Sequence, residues 1–253
     1  MTLASRQRAQ VRTPVLFLSA AAWILLMAAP GSLGLSGHCT VTGLGAMLSL
    51  KSLRHLMALN PPGSVAVGWT LMLIAMMAPV VIPPVRHIRD RSFARRRVRA
   101  IILFVGGYAA IWMAAGVLLL AIVLVVRLAA PESLLPVALV AIVALVWQFS
   151  PVKQQCLNRC HAHPEVAAFS PAADLGALRF GLTHGIWCVG SCWALMLLPL
   201  LVSRGHLAVM VLVSLCLFAE RLDRPVPPRW SWRAPSKAIR IAIAQARMRL
   251  ARG

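Results

Sequence analysis

"AIILFVGGYAAIWMAAGVLLLAIVLVVRL", from Ala100 to Leu128, holds no charged side chain before Arg127. Roughly 20 apolar residues suffice for a helix to cross the hydrocarbon of a bilayer. This run exceeds that length and has room to tilt. Outward from it lie five more apolar runs: Val15–Leu33, Val65–Val85, Leu134–Phe149, Arg179–Val202 and His206–Glu220. Leu134–Phe149 and His206–Glu220 are short. The reading is therefore all-α: a polytopic transmembrane bundle of about six spans over residues 1–222, then a basic, partly disordered cytoplasmic tail over 223–253. The first run follows Arg6, Arg8 and Arg12 as a signal peptide would, but no small-residue cleavage site comes after it, and it reads as retained.

Composition agrees. The 253 residues are 60% hydrophobic and carry 26 Lys and Arg against six acids, for a net charge of +20. A soluble domain so apolar would expose large adhesive patches. The positive charge does not argue for nucleic acid, because the basic residues sit in blocks between the apolar runs, as membrane topology requires. Arg86–Arg99 holds seven of them, Lys153–Arg179 three and the tail from Arg221 nine, while Lys51, Arg54, Arg127 and Arg204 stand alone in the alternate loops. With six spans all the rich segments fall on one side. Both termini are then cytoplasmic in a multi-pass inner-membrane protein, with anionic lipid at the basic loops. Leu35–Ser64 is the main external loop. The tail is first proline-rich, "RPVPPRWSW", and becomes helix-compatible from Ser236, as a surface helix on anionic lipid.

The chemistry is concentrated in "HGIWCVGSCWALM", His184–Met196. Residues four apart share a helix face, so His184, Cys188, Cys192 and Met196 form one stripe of imidazole, thiols and thioether. Such donors suit copper(I), and the thiols also suit zinc. Gly181 and Gly185 form a small-xxx-small pair that admits a neighbouring helix. "SPVKQQCLNRCHAHP" repeats the spacing. It reads as a short helix with Ser150 as N-cap, Pro151 in the first turn and Pro164 beyond its end, with Cys156 and Cys160 on one face and His161 and His163 following. Neither pair is a CxxC knuckle, which disfavours a zinc finger.

A single cysteine here would be read as packing, and Cys39 and Cys216 are so read. The repeated pairs argue for function. Two thiols at i,i+4 on an undistorted helix stand too far apart for a disulfide, and a bridge between the pairs would face a reducing cytoplasm. In the second span Met72 and Met76 share a face, with Met77 beside them, and Pro79, Pro83 and Pro84 free carbonyls at its cytoplasmic end. Glu220, near the cytoplasmic end of the last span, either pairs with Arg221 or serves a site, since an acid at membrane depth marks function. The topology gathers Met76, Met77, Cys156, Cys160, His184, Cys188 and Glu220 in the cytoplasmic half, with Cys192 deeper. His38, Cys39 and His206 face outward.

"WTLMLIAMMAP", "PVKQQCLNRC", "GIWCVGSCWALM" and the terminal "AER" together resemble a bacterial family of predicted metal-binding integral membrane proteins, over about Val65–Leu222. The resemblance implies roles for Trp69, Met76, Met77, Pro79, Lys153, Cys156, Cys160, Gly185, Cys188, Gly190, Cys192, Trp193, Met196 and Glu220. One departure is visible. The family pattern has adjacent cysteines before the tryptophan, whereas Ser191 precedes Cys192 here, leaving one thiol fewer.

The expected function is binding of copper(I), with zinc second, from the cytoplasmic side. Metal donors are sought among Cys156, Cys160, His184, Cys188, Cys192, Met76, Met77 and Glu220, for export, delivery or storage. No nucleotide-binding loop argues for transport driven by ATP hydrolysis. The rivals are a membrane thiol-disulfide oxidoreductase, against which the missing CxxC counts, an assembly protein with a structural zinc site, and haem ligation by His184.

Overall fold

The computed structural model describes residues 3–28, 62–129, 134–165, 170–202, 205–231 and 236–250. The described residues form helices α1 (Leu3–Ala28), α2 (Pro62–Arg91), α3 (Arg97–Ala129), α4 (Leu135–Phe149), α5 (Pro151–Cys160), α6 (Ser170–Leu201), α7 (His206–Leu222) and α8 (Ser236–Leu250). No strand occurs among them. Most of the external loop, with His38 and Cys39, falls outside the described residues.

Four helices, α1, α2, α3 and α6, contain segments long and apolar enough to cross a membrane. The number is five if the bent pair α4–α5 is one span. This is fewer than the six runs of the sequence, and length is the reason. α7 has 17 residues, or about 25 Å at the α-helical rise. α4 has 15, and reaches span length only together with α5, across a bend of 67°. The bend is written locally. Ser150 adopts extended backbone and its Oγ accepts the N–H of Val152 at 3.1 Å, with Pro151 in the first turn of α5. α5 ends at Cys160, before Pro164.

Two helices start earlier than their apolar runs. α1 begins at Leu3 and passes through Pro14. α6 begins at Ser170, nine residues before Arg179. At 32 residues α6 is about 48 Å long, against a hydrocarbon thickness of about 30 Å. Its first turns are polar because they meet the basic start of α3, where Asp174 pairs with Arg96 at 2.9 Å and Arg99 at 2.8 Å. Apolarity marks the lipid-compatible part of a helix and not its end.

The prolines of α2 do not stop it. Pro79 lacks the N–H that would bond the carbonyl of Ala75. That carbonyl instead accepts Ser19 Oγ at 2.8 Å and Trp23 Nε1 at 3.1 Å, which fastens α1 to α2. Among the described residues the most extensive helix pairing is α3 with α6. A Cβ at Gly181 would stand 2.1 Å from the carbonyl oxygen of Phe104, and one at Gly185 2.9 Å from Cβ of Ile111, so the small pair admits α3. α6 also touches α4, α5 and α7, which places it at the centre of the bundle. The core is filled by Trp69, Phe104, Trp112, Met76, Met196 and Met210, all under 2% exposed. The outward faces carry Phe17, Val117, Leu118, Leu212 and Leu215, each more than 60% exposed. The described helices are thus apolar on outward faces as well as in the core, which is compatible with a multi-pass membrane protein.

The tail does not leave the bundle at once. Residues 226–231 lie along α5, where Asn158 Nδ2 donates to the carbonyl of Val226 at 2.7 Å and Gln154 Nε2 to that of Ser231 at 3.0 Å. The same two amides accept the N–H groups of Val226 and Arg229. α8 starts at Ser236 as its composition predicts.

Candidate metal centre

α6 carries His184, Cys188, Cys192 and Met196 as one buried stripe, none more than 3% exposed. It covers about 18 Å of helix axis. α5 lies against this helix and brings the second pair. Cys156 and Cys160 are buried, and Cys156 Sγ stands 2.7 Å from where a Cβ at Gly190 would be. Glycine at 190 is what lets α5 approach. Trp147 Nε1 donates to the carbonyl of Gly190 at 3.1 Å and holds α4 to the same turn.

A residue of α7 reaches the α6 pair. The guanidinium of Arg221 reaches Cys188 Sγ at 3.3 Å and Ser191 Oγ at 3.1 Å, and its charge lies near Cys160. Tyr108, the single tyrosine of the chain, brings its hydroxyl within 3.3 Å of Cys188 Sγ from α3. Cys192 Sγ donates to the carbonyl of Cys188 at 2.9 Å. Ser191 Oγ donates to the same carbonyl at 2.7 Å. Cys188 thus faces one cation and one phenol.

Glu220 belongs to a different cluster. Its carboxylate accepts Lys153 Nζ at 2.5 Å and Gln148 Nε2 at 2.5 Å, and Lys153 also bonds Gln148. Lys153 and Glu220 are both buried. The acid is therefore held by α5 and the end of α4, while its neighbour Arg221 turns to the thiols. An Arg221–Glu220 pairing, one of the two sequence readings, is not formed among these contacts, because adjacent helical residues do not face each other.

The ring of His184 packs on Phe104, Tyr108 and Phe180 at centroid distances of 6.0, 5.9 and 5.8 Å. Both of its nitrogens are buried with no hydrogen-bond partner among the described residues. An imidazole is costly to bury unsatisfied, and a bond to a metal would satisfy one nitrogen. Met76 and Met77 share the buried core with Cys160, Cys188 and Cys192. Their helix packs on α1, α3 and α7. His161 and His163 do not join the thiols. His161 bonds the carbonyls of Leu157 and Arg221. His163 stacks edgewise on His87 at 4.9 Å, and burial, with His87 beside it, holds His163 below the ordinary histidine range. Cys216 is exposed.

Among the described residues no group of three or more His, Cys, Asp or Glu is arranged to hold a metal ion, and the described cysteines are free thiols. What the fold supplies is fewer hard donors and more sulfur. Two thiolates are a sufficient soft donor set for copper(I), whereas structural zinc takes four ligands.

Sequence reasoning missed Tyr108 and Arg221 as neighbours of the thiols. The "AER" motif held the only signal, a basic residue next to a membrane acid.

The described residues define an all-helical bundle with apolar outward faces and cysteine and methionine sulfur buried within it, side chains that are soft metal donors. Residues 66–243 match the profile of the PpoB2 family, described as a copper chaperone, and the chain belongs to that family. No curated protein and no solved structure matches the chain.

Proposed function

We propose that this protein binds copper(I) through thiolates drawn from Cys160, Cys188 and Cys192, and carries it for hand-over to another protein. The observation that supports this most is the pair of buried thiols, Cys188 and Cys192, on one face of α6, with Arg221 at Cys188 and α5, which carries Cys156 and Cys160, packed alongside. Soft thiolates select copper(I) among the metals a cell supplies. His184 supplies a nitrogen that lacks any other partner among the described residues, and Met76, Met77 and Met196 line the same core with thioethers. Cys156 adjoins the site through Gly190. Glu220 holds Lys153 in place and is not counted among the donors here.

The fold is proposed to cross an inner membrane six times, with α7 and the bent α4–α5 pair among the crossings and both termini in the cytoplasm. The basic segments then lie at anionic head groups. Cys160 and Arg221 stand at the cytoplasmic ends of their helices, so copper enters from that side. The stripe on α6 continues inward toward Met196.

The test is the metal content of the full chain purified in detergent, grown with both copper and zinc, beside a Cys188→Ser/Cys192→Ser variant of unchanged melting temperature. Near-stoichiometric copper in the parent, absent from the variant, is expected. Trace metal in both would reject the proposal. A redox-active disulfide formed without metal would favour the thiol oxidoreductase instead.

A further inference from the structure

Taking the copper(I) reading as its basis, we infer that Arg221 is the fixed counter-charge of the thiol site and makes it selective for monovalent over divalent metal. The warrant is a charge count at a buried place. Burying uncompensated charge is strongly unfavourable, so a site of this kind accepts the ion that brings its total closest to zero. Arg221 contributes one positive charge, within 3.3 Å of Cys188 Sγ and 3.1 Å of Ser191 Oγ. Its charge lies near Cys160 as well.

The other groups around the thiols add nothing to the sum. Lys153 and Glu220 cancel each other in their own ion pair at 2.5 Å. Tyr108 and Ser191 contribute hydroxyl groups, and Ser191 Oγ is already committed between Arg221 and the carbonyl of Cys188. A monovalent ion held by two thiolates leaves one negative charge, which Arg221 balances. A divalent ion held by the same two thiolates is already neutral, and Arg221 would leave the site positive.

A divalent ion could restore neutrality with a third thiolate. Among the described residues no such three-ligand group is formed. Position 191, one residue before Cys192, carries a hydroxyl and not a thiol. Arg221 thus acts as a specificity-determining residue. It touches the thiols and not necessarily the metal.

The experiment measures affinity for copper(I), silver(I) and zinc(II) by competition with chromophoric chelators, on full-length parent, Arg221→Lys and Arg221→Met proteins in detergent. Arg221→Met is expected to lose at least about tenfold in copper(I) and silver(I) affinity, in line with the strength of charge-assisted contacts, while zinc(II) binds as well as before or better. Arg221→Lys keeps the charge and is expected to keep the parental order. An unchanged copper-to-zinc ratio in Arg221→Met overturns the inference. So does a parallel loss of all three metals in both variants, which would mark Arg221 as a structural residue. Failure of the parent itself to bind copper(I) would instead reject the proposed function, and this inference with it.

Discussion

At the scale of the residue, the thiols are not equivalent. Cys188 contacts Arg221, whose charge also lies near Cys160, whereas Cys156 faces Gly190. Cys160→Ser is expected to abolish copper binding, and Cys156→Ser to weaken it by no more than a few-fold. Equal losses in chelator competition would show that the contact with Arg221 does not mark the ligands. Lys153 and Glu220 make a second prediction. Removing one partner of a buried ion pair costs about 3–5 kcal/mol, because the other charge is left stranded, while apolar replacement of both is far milder. Glu220→Leu and Lys153→Leu should each lower the melting temperature markedly, and the double variant should recover much of the loss. A double variant as unstable as the sum of the two singles would show that the pair is not coupled.

At the scale of the element, the bundle depends on how closely α3 meets α6. Gly181→Leu would drive a side chain into the backbone at Phe104. Overpacking usually costs about 1–3 kcal/mol, and more where backbone must move. Destabilisation by thermal melting in detergent is expected, with a normal melt ruling out the observed approach. Much of this level is legible in the sequence. Ser150 and Pro151 announce the break between α4 and α5, Ser236 the start of α8, and Gly181 with Gly185 the tight contact. The start of α6 is not legible from apolarity, because Asp174 and Arg179 are polar residues of a helix whose first turns meet arginines. The centre is only half legible for a related reason. Spacing of four reveals each cysteine pair along one helix, but Arg221 and Tyr108 reach Cys188 from other helices, and such meetings are set by packing. The adjacency of Glu220 and Arg221 misdirects, since neighbours on a helix point apart and here they serve different clusters.

At the scale of the whole molecule, the distribution of arginine sets the expected topology. A fluorescent protein joined after Gly253 should be bright and an alkaline phosphatase there inactive, with the reverse at residues 130–133 and 203–204. Phosphatase activity at the C-terminus would overturn the cytoplasmic placement. The burial of the thiols has a consequence in time. Cys156, Cys160, Cys188 and Cys192 are all less than 8% exposed, so a bulky copper donor cannot touch them while α5 is seated on α6. Residues 226–231 lie across α5 through Gln154 and Asn158 and hold it there. Transfer then waits on a local opening. Its rate should level off as donor concentration rises, at a ceiling set by how often α5 lifts, and Gln154→Ala/Asn158→Ala should raise that ceiling while leaving equilibrium affinity nearly unchanged. The protein would hold its cargo by delay as much as by affinity.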